Sequence, residues 1–178
     1  YEAGLKYKPT FADMLFTAAV FDLRQRNILT PSTVPGFSVQ QGEVRSQGVE
    51  LEARARVTET IEIIAASTFL DTRVTQSTDL LAIGKRPQAV PNHFESVWAN
   101  YSFLNGGLAG LTIGGGVRSV GSSYGDDVNS LVSPGYVVFD AAVRYDLVNL
   151  VRAWKGAEVT LNVTNLFDKS YYTSCSSN

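Results

Sequence analysis

Cysteine, histidine and methionine occur once each in the 178 residues, and prolines number only six. The lone thiol, Cys175, closes no disulfide within the chain. One imidazole with no clustered acids or thiols beside it makes a poor metal site, so His93 reads as a loop-to-strand boundary residue. No run of 18 or more apolar residues exists, which excludes a transmembrane helix. No segment carries a convincing 3.6-residue period. The net charge is −2, from 15 basic and 17 acidic residues, so neither a nucleic-acid footprint nor an acidic tail stands out. Ser, His and acidic residues occur, but no order or spacing joins them into a catalytic constellation, which points away from an enzyme. The chain begins at Tyr1 without methionine or a signal peptide and reads as a processed product or a fragment.

What is plentiful favours strands and turns: fifteen glycines, eight tyrosines and nine phenylalanines. In QGVELEARARV, residues 47–57, the odd positions hold Val49, Leu51, Ala53, Ala55 and Val57. The even positions hold Glu50, Glu52, Arg54 and Arg56. Side chains alternate faces along a strand, so this strand has one wholly apolar face and one with four charges.

Eight such period-2 segments recur, at about 1–8, 13–27, 42–57, 60–74, 93–104, 109–121, 135–147 and 157–166. In the second, Leu15, Thr17, Ala19, Phe21 and Leu23 share a face opposite Asp22, Arg24 and Arg26. The seventh sets Val137, Phe139, Ala141, Val143, Tyr145 and Leu147 against Asp140, Arg144 and Asp146. Trp98 breaks the pattern of the fifth. Connections alternate between short (9–12, 57–60, 104–108) and long (28–41, 75–92, 122–134), with a moderate one at 148–156. Antiparallel neighbours joined this way gather the short turns at one end and the long loops at the other, as in bacterial outer-membrane barrels.

A soluble sandwich also alternates apolar and polar residues. Three features favour a membrane barrel. The segments are about 10–15 residues, against the usual strand of about 5–6. The apolar faces of the third and seventh stay uncharged for five or six positions, where a Lys or Arg at mid-bilayer would cost about 2–4 kcal/mol. The aromatics Tyr101, Phe103, Tyr136 and Tyr145 lie near segment ends, as interfacial girdles require. After the eighth segment the chain runs NLFDKSYYTSCSSN with no returning strand. Open sheet edges are not tolerated in hydrocarbon, so eight strands read as part of a larger barrel. GVRSVGSS (116–123) nearly spells a phosphate loop but lacks its lysine, and its glycines read as tightly packed wall. Asn162-Val-Thr164 inside a strand reads as polar lumen positions.

Five segments carry a family likeness. NVTNLFDKSYY (162–172) resembles the C-terminal signature of TonB-dependent outer-membrane receptors. AAVFDLRQRNIL (18–29), RSQGVELEARARV (45–57), GKRPQAVPNHFESVWANY (84–101) and GYVVFDAAVRYDL (135–147) follow in the family's order. The likeness is to the ferric-siderophore branch, of ferrichrome and pyoverdine type. It implies an all-β, antiparallel transmembrane barrel of which this chain supplies eight consecutive strands near the C-terminus. The complete barrel would have about 22 strands around a plug domain. Residues 1–178 are then expected to be a partial C-terminal barrel segment, with the plug and the final strand outside it.

The resemblance also implies a function and a place. The expected role is uptake of a ferric siderophore across the outer membrane of a Gram-negative bacterium. The expected partners are the siderophore, outer-membrane lipid and, through the plug, the TonB–ExbB–ExbD complex, with no nucleic acid. No cofactor or resident metal is expected, because the siderophore's own oxygens hold the iron. The expected ligand contacts are Arg118, Tyr124, Asp126, Phe37, Gln40 and Tyr172: aromatics to stack on the chelate and an arginine for its anionic groups. SYYTSC resembles a last extracellular loop with two nearby cysteines, which implies a disulfide from Cys175 to a partner just past Asn178, durable in an oxidising exterior. The alternatives are the same transporter fold with haem, cobalamin or a glycan as cargo, and a soluble exported all-β binding module.

Overall fold

The computed structural model describes residues 1–31 and 36–175. Ten strands appear: β1 (Glu2–Tyr7), β2 (Met14–Pro31), β3 (Ser38–Arg56), β4 (Ile61–Gln76), β5 (His93–Ser102), β6 (Leu111–Val120), β7 (Ser123–Tyr124), β8 (Val132–Ser133), β9 (Tyr136–Asp146) and β10 (Glu158–Val163). Eight of them form one antiparallel sheet in the order β1-β2-β3-β4-β5-β6-β9-β10, each beside its neighbour in the main ladder. β7 and β8 pair as a small hairpin within the connection between β6 and β9. The eight strands of the main sheet fall on the eight alternating segments of the sequence, although β1 and β10, at six residues each, are shorter than the 10–15 expected.

Cross-strand partners share a face, so the register assigns every side chain. Val49, Leu51, Ala53 and Ala55 of β3 stand opposite Phe69, Ser67, Ala65 and Ile63 of β4. The same face continues through Ala99 and Val97 on β5, Ile113 and Val117 on β6, Val143 and Phe139 on β9, and Leu161 on β10. The opposite face carries Glu50, Glu52, Arg54, Glu62, Asn100, Arg118, Asp140, Arg144 and Glu158.

On β2 the register reverses the expected facing. Phe16, Ala18 and Val20 stand opposite Ala53, Leu51 and Val49 and join the apolar face. Leu15, Thr17 and Ala19 stand opposite Arg54, Glu52 and Glu50 and line the charged face. Asp22, Arg24 and Arg26 therefore lie on the apolar side, but further along the strand. β2 has 18 residues, and at about 3.3 Å per residue it spans about 60 Å. That is more than a hydrocarbon core of about 30 Å needs even with strong tilt. The outward face turns polar where the strand leaves the membrane. Tyr136 is corrected in the same way: it stands opposite Val120, in line with the positions of Arg118 and Asp140, and so faces the charged side rather than a lipid girdle.

No second layer covers the apolar face. Among the described residues the buried apolar side chains are few: Ala19, Ala82 and Val138, with Pro9 in the connection from β1 to β2. The accessible surface is 12097 Å², whereas a compact monomer of this mass exposes about 8,500 Å². Leu51, Val97, Ile113, Phe139 and Leu161 all stand exposed. An interlocked sandwich core is therefore absent, and a lipid-facing wall explains the apolar face. No helix among the described residues is long and apolar enough to cross a membrane; the crossing elements are strands.

Short connections join β1 to β2, β3 to β4, β5 to β6 and β9 to β10 at one end of the sheet. The connections after β2, β4 and β6 gather at the other, and those after β4 and β6 are long; the expected long connection at 28–41 is mostly strand, because β2 runs to Pro31 and β3 begins at Ser38. At the short-turn end Tyr101 and Phe103 meet edge to face, with ring centroids 4.9 Å apart. Tyr101 and Tyr145 both belong to the outward face there, as an interfacial girdle requires.

Candidate functional site

The charged face carries ion pairs that cross between neighbouring strands. Arg118 on β6 holds Asp140 on β9 with two contacts, Nε to Oδ2 at 2.5 Å and Nη2 to Oδ1 at 3.1 Å. Asp140 Oδ1 also accepts the backbone N–H of Asn165 at 2.9 Å. Asp140 is mostly covered, while Arg118 keeps 44% of its side chain exposed. Part of the Arg118 side chain therefore stays open to the lumen. Lower on the wall Arg54 pairs with Glu62 at 2.7 Å.

Trp98 explains its own break in the alternation. It belongs to the lumen face, and its indole N–H donates to Asn100 Oδ1 at 2.7 Å. The ring lies over Gly114 and Gly116 of β6: a Cβ on Gly114 would come within 2.8 Å of the ring, and one on Gly116 would collide with it. Glycine is the residue that lets an aromatic ring lie flat against the strand.

At the long-loop end two connections lock together. Asn129, at φ 61°, accepts the backbone N–H of Arg86 at 2.9 Å and donates to its carbonyl at 2.8 Å. Ala89 N–H donates to the Tyr124 carbonyl at 2.9 Å. Asp126 organises the second loop from within. It accepts the backbone N–H groups of Ser130 and Leu131, each at 3.0 Å, and the Ser130 hydroxyl. The Ser130 hydroxyl bond, reinforced by the two backbone donors, holds its carboxyl below the usual range.

The expected contact residues separate into groups. Arg118 lies on the lumen wall, with Tyr136 nearby stacked on Tyr171 at 4.1 Å between ring centroids. Tyr124 is half-buried in the locked loop, and Tyr172 is exposed in the segment after β10. Phe37, exposed, immediately precedes β3 and Gln40 lies near its start, at the same end of the sheet. Asp126 is buried and spent on its own loop. Sequence reasoning missed Asp140 as the partner of Arg118, the Tyr136–Tyr171 stack and the Asn129 clamp. Each depends on register or loop folding rather than on a local motif. Cys175 is half-buried, and a Cβ added to Gly125 would meet its Sγ at 2.7 Å. Its expected disulfide partner lies outside the described residues. Among the described residues no group of three or more His, Cys, Asp or Glu is gathered for a metal.

A family model described as TonB dependent receptor-like, beta-barrel, matches residues 1–166. The ferrichrome outer membrane transporter/phage receptor of Escherichia coli (strain K12) is 43% identical over 176 residues, covering 98% of this chain and 23% of that protein. The ferrioxamine receptor of Yersinia enterocolitica is 36% identical, covering 98% of this chain and 24% of the relative. Among solved structures, the siderophore receptor PiuA from Acinetobacter baumannii superposes with a TM-score of 0.78 at 28% identity, over 98% of this chain and 25% of that one. The chain thus spans about a quarter of the length of the relatives it matches.

Proposed function

The chain belongs to the TonB-dependent receptor β-barrel family, and from that premise we propose that it forms part of the wall of a transporter that takes up ferric siderophores. It is an antiparallel barrel segment of the Gram-negative outer membrane. Residues 1–178 are a partial C-terminal barrel segment, and the plug and the final strand come from the rest of the receptor. The observation that carries the cargo is the identity of 43% across nearly the whole chain to a ferrichrome transporter. The wall geometry supports it: an outward face that is mainly apolar between the two ends of the sheet, and two interlocked loops at the long-loop end.

The chelate enters between the long loops and meets the upper wall. The exposed part of Arg118 faces its anionic groups, and Tyr124, Phe37 and Tyr172 supply aromatic surface, with Gln40 as a polar contact. Asp126 serves by holding the loop that presents Tyr124. Iron stays on the siderophore's own oxygens, so the wall supplies no metal ligand and no cofactor. Release inward is driven through the plug by the TonB–ExbB–ExbD complex. Uptake of radiolabelled ferric siderophore by cells carrying the full-length receptor tests the assignment. Arg118→Ala and Tyr124→Ala should each weaken uptake affinity by about tenfold, and unchanged affinity in both removes the proposed site.

A further inference from the structure

Ala89 and Asn129 hold their backbones in the left-handed region, at φ 57° and 61°. Asparagine tolerates that conformation, whereas alanine adopts it only where the surroundings hold it there. Both residues lie where the connection 77–92 meets the connection 122–134. Ala89 gives its N–H to the Tyr124 carbonyl at 2.9 Å. The Asn129 carboxamide accepts the N–H of Arg86 at 2.9 Å and donates to the carbonyl of the same residue at 2.8 Å. A primary amide offers the donor and the acceptor of a peptide unit, so Asn129 pairs with Arg86 as a neighbouring strand would. The first connection is itself anchored to the wall. β4 continues past the end of β5, and there Gly84 N–H donates to the Val74 carbonyl at 2.8 Å and Val74 N–H to the Lys85 carbonyl at 2.9 Å. Leu70 N–H donates to the Asn92 carbonyl at 2.9 Å. The second connection carries the β7–β8 hairpin, closed by the bond from Gly125 N–H to the Leu131 carbonyl at 2.8 Å. That hairpin reaches the anchored strip through Tyr124 at its stem and Asn129 at its tip.

We infer that Asn129 is a positioning residue for the chelate: its clamp joins the two connections into one body and so fixes where Tyr124 stands. The inference rests on the siderophore reading above, in which Tyr124 is a contact. A hairpin loose at its tip has to be ordered when cargo arrives, and that ordering subtracts from affinity. The clamp orders it beforehand. Asp126 shapes the tip from within, whereas Asn129 ties the tip to a strip already bonded to β4. Position 129 needs two properties together, tolerance of positive φ and a carboxamide. Glycine has only the first. Aspartate tolerates the backbone and keeps an acceptor for the Arg86 N–H, but it sets a carboxylate oxygen against the Arg86 carbonyl. Asparagine supplies both properties. The two substitutions therefore separate the shape of the turn from the clamp it carries.

The test uses the full-length receptor in detergent, with two readouts. Amide hydrogen exchange over residues 84–92 reports the clamp and needs no cargo. Titration with ferrichrome, the cargo of the 43% identical ferrichrome transporter, reports affinity. Asn129→Gly should speed exchange of the Arg86 and Ala89 amides by roughly tenfold and weaken ferrichrome binding by a similar factor, with the yield of folded barrel unchanged. Asn129→Asp should act in the same direction by about threefold, and it carries the test if the glycine variant does not fold. Asn105→Gly, in a short turn at the other end of the sheet, should change neither readout. In a Tyr124→Ala background Asn129→Gly should bring no further loss of affinity, because the clamp acts through Tyr124. Unchanged exchange in the clamp variants overturns the joining of the two connections. Faster exchange with unchanged affinity, or full additivity with Tyr124→Ala, overturns the positioning role. A wild type that does not bind ferrichrome removes that cargo while exchange still decides the clamp, so the two failures are distinguishable.

Discussion

At the scale of single residues, small contacts decide where the wall is flat and where its loops are held. Gly114 lets Trp98 lie against β6, and a Cβ there would sit 2.5 Å from Asn100 Oδ1 and 2.8 Å from the indole. Neither neighbour yields freely, because the indole N–H is bonded to Asn100. Gly114→Ala should therefore destabilise the barrel by about 1–3 kcal/mol, the usual penalty of overpacking. Lower heat-modification temperatures on gels would record it, and the loss should shrink in a Trp98→Ala background, which removes most of the clash. Asp126 gives a pH-dependent counterpart. Its carboxyl is held below its ordinary value by the Ser130 hydroxyl and by the Leu131 and Ser130 amides, so the loop gains stability above the unfolded pKa of about 3.9. That gain is lost as pH falls through the lower folded value. A spin label at Asp127→Cys should be immobile at neutral pH and loosen in acid. Adding Asp126→Asn should loosen it at neutral pH too; a label insensitive to both changes would remove Asp126 from its organising role.

At the scale of strands, the membrane acts through alternate positions. Leu51 and Glu52 are adjacent on β3, yet one faces acyl chains and the other the lumen. Leu51→Arg should cost about 2–4 kcal/mol near mid-bilayer, whereas Glu52→Arg should cost well under 1 kcal/mol on a solvated wall. Yield of folded receptor in outer-membrane fractions should drop sharply for the first and hardly for the second. β3 and β9 were legible in the sequence because their two faces differ at nearly every position. β2 was not, because Leu15, Ala19 and Phe21 on its lumen side are as apolar as Phe16, Ala18 and Val20 on its lipid side. Only the pairing of Ala18 with Leu51 and Ala19 with Glu50 decides which is which. The same limit hid the pairing of Arg118 with Asp140, residues 22 positions apart that meet through the β6–β9 register. Loop contacts such as Asn129 with the Arg86 backbone carry no periodic signal at all.

At the scale of the whole molecule, what the sheet exposes is as telling as what it pairs. β1 and β10 each have one neighbour, so two edges present unpaired N–H and C=O groups. The lipid face adds exposed side chains on every strand, including Leu5, Phe16, Leu51, Val97, Phe139 and Leu161. In water both features favour association: edges recruit strands, and a continuous apolar face larger than a few hundred Å² recruits other apolar surfaces. Hydrophobic burial at about 25 cal/mol per Å² cannot be satisfied within this sheet, because nothing in it packs across the face. Residues 1–178 expressed alone should therefore run as aggregate on size exclusion in plain buffer and enter a discrete species only with detergent. Far-ultraviolet circular dichroism of that detergent species should show strand signal, since the ladder itself is local and antiparallel. A monomeric, cooperatively unfolding protein in buffer would mean that the apolar face finds an internal partner, and the wall described above would then be the wrong arrangement of these strands.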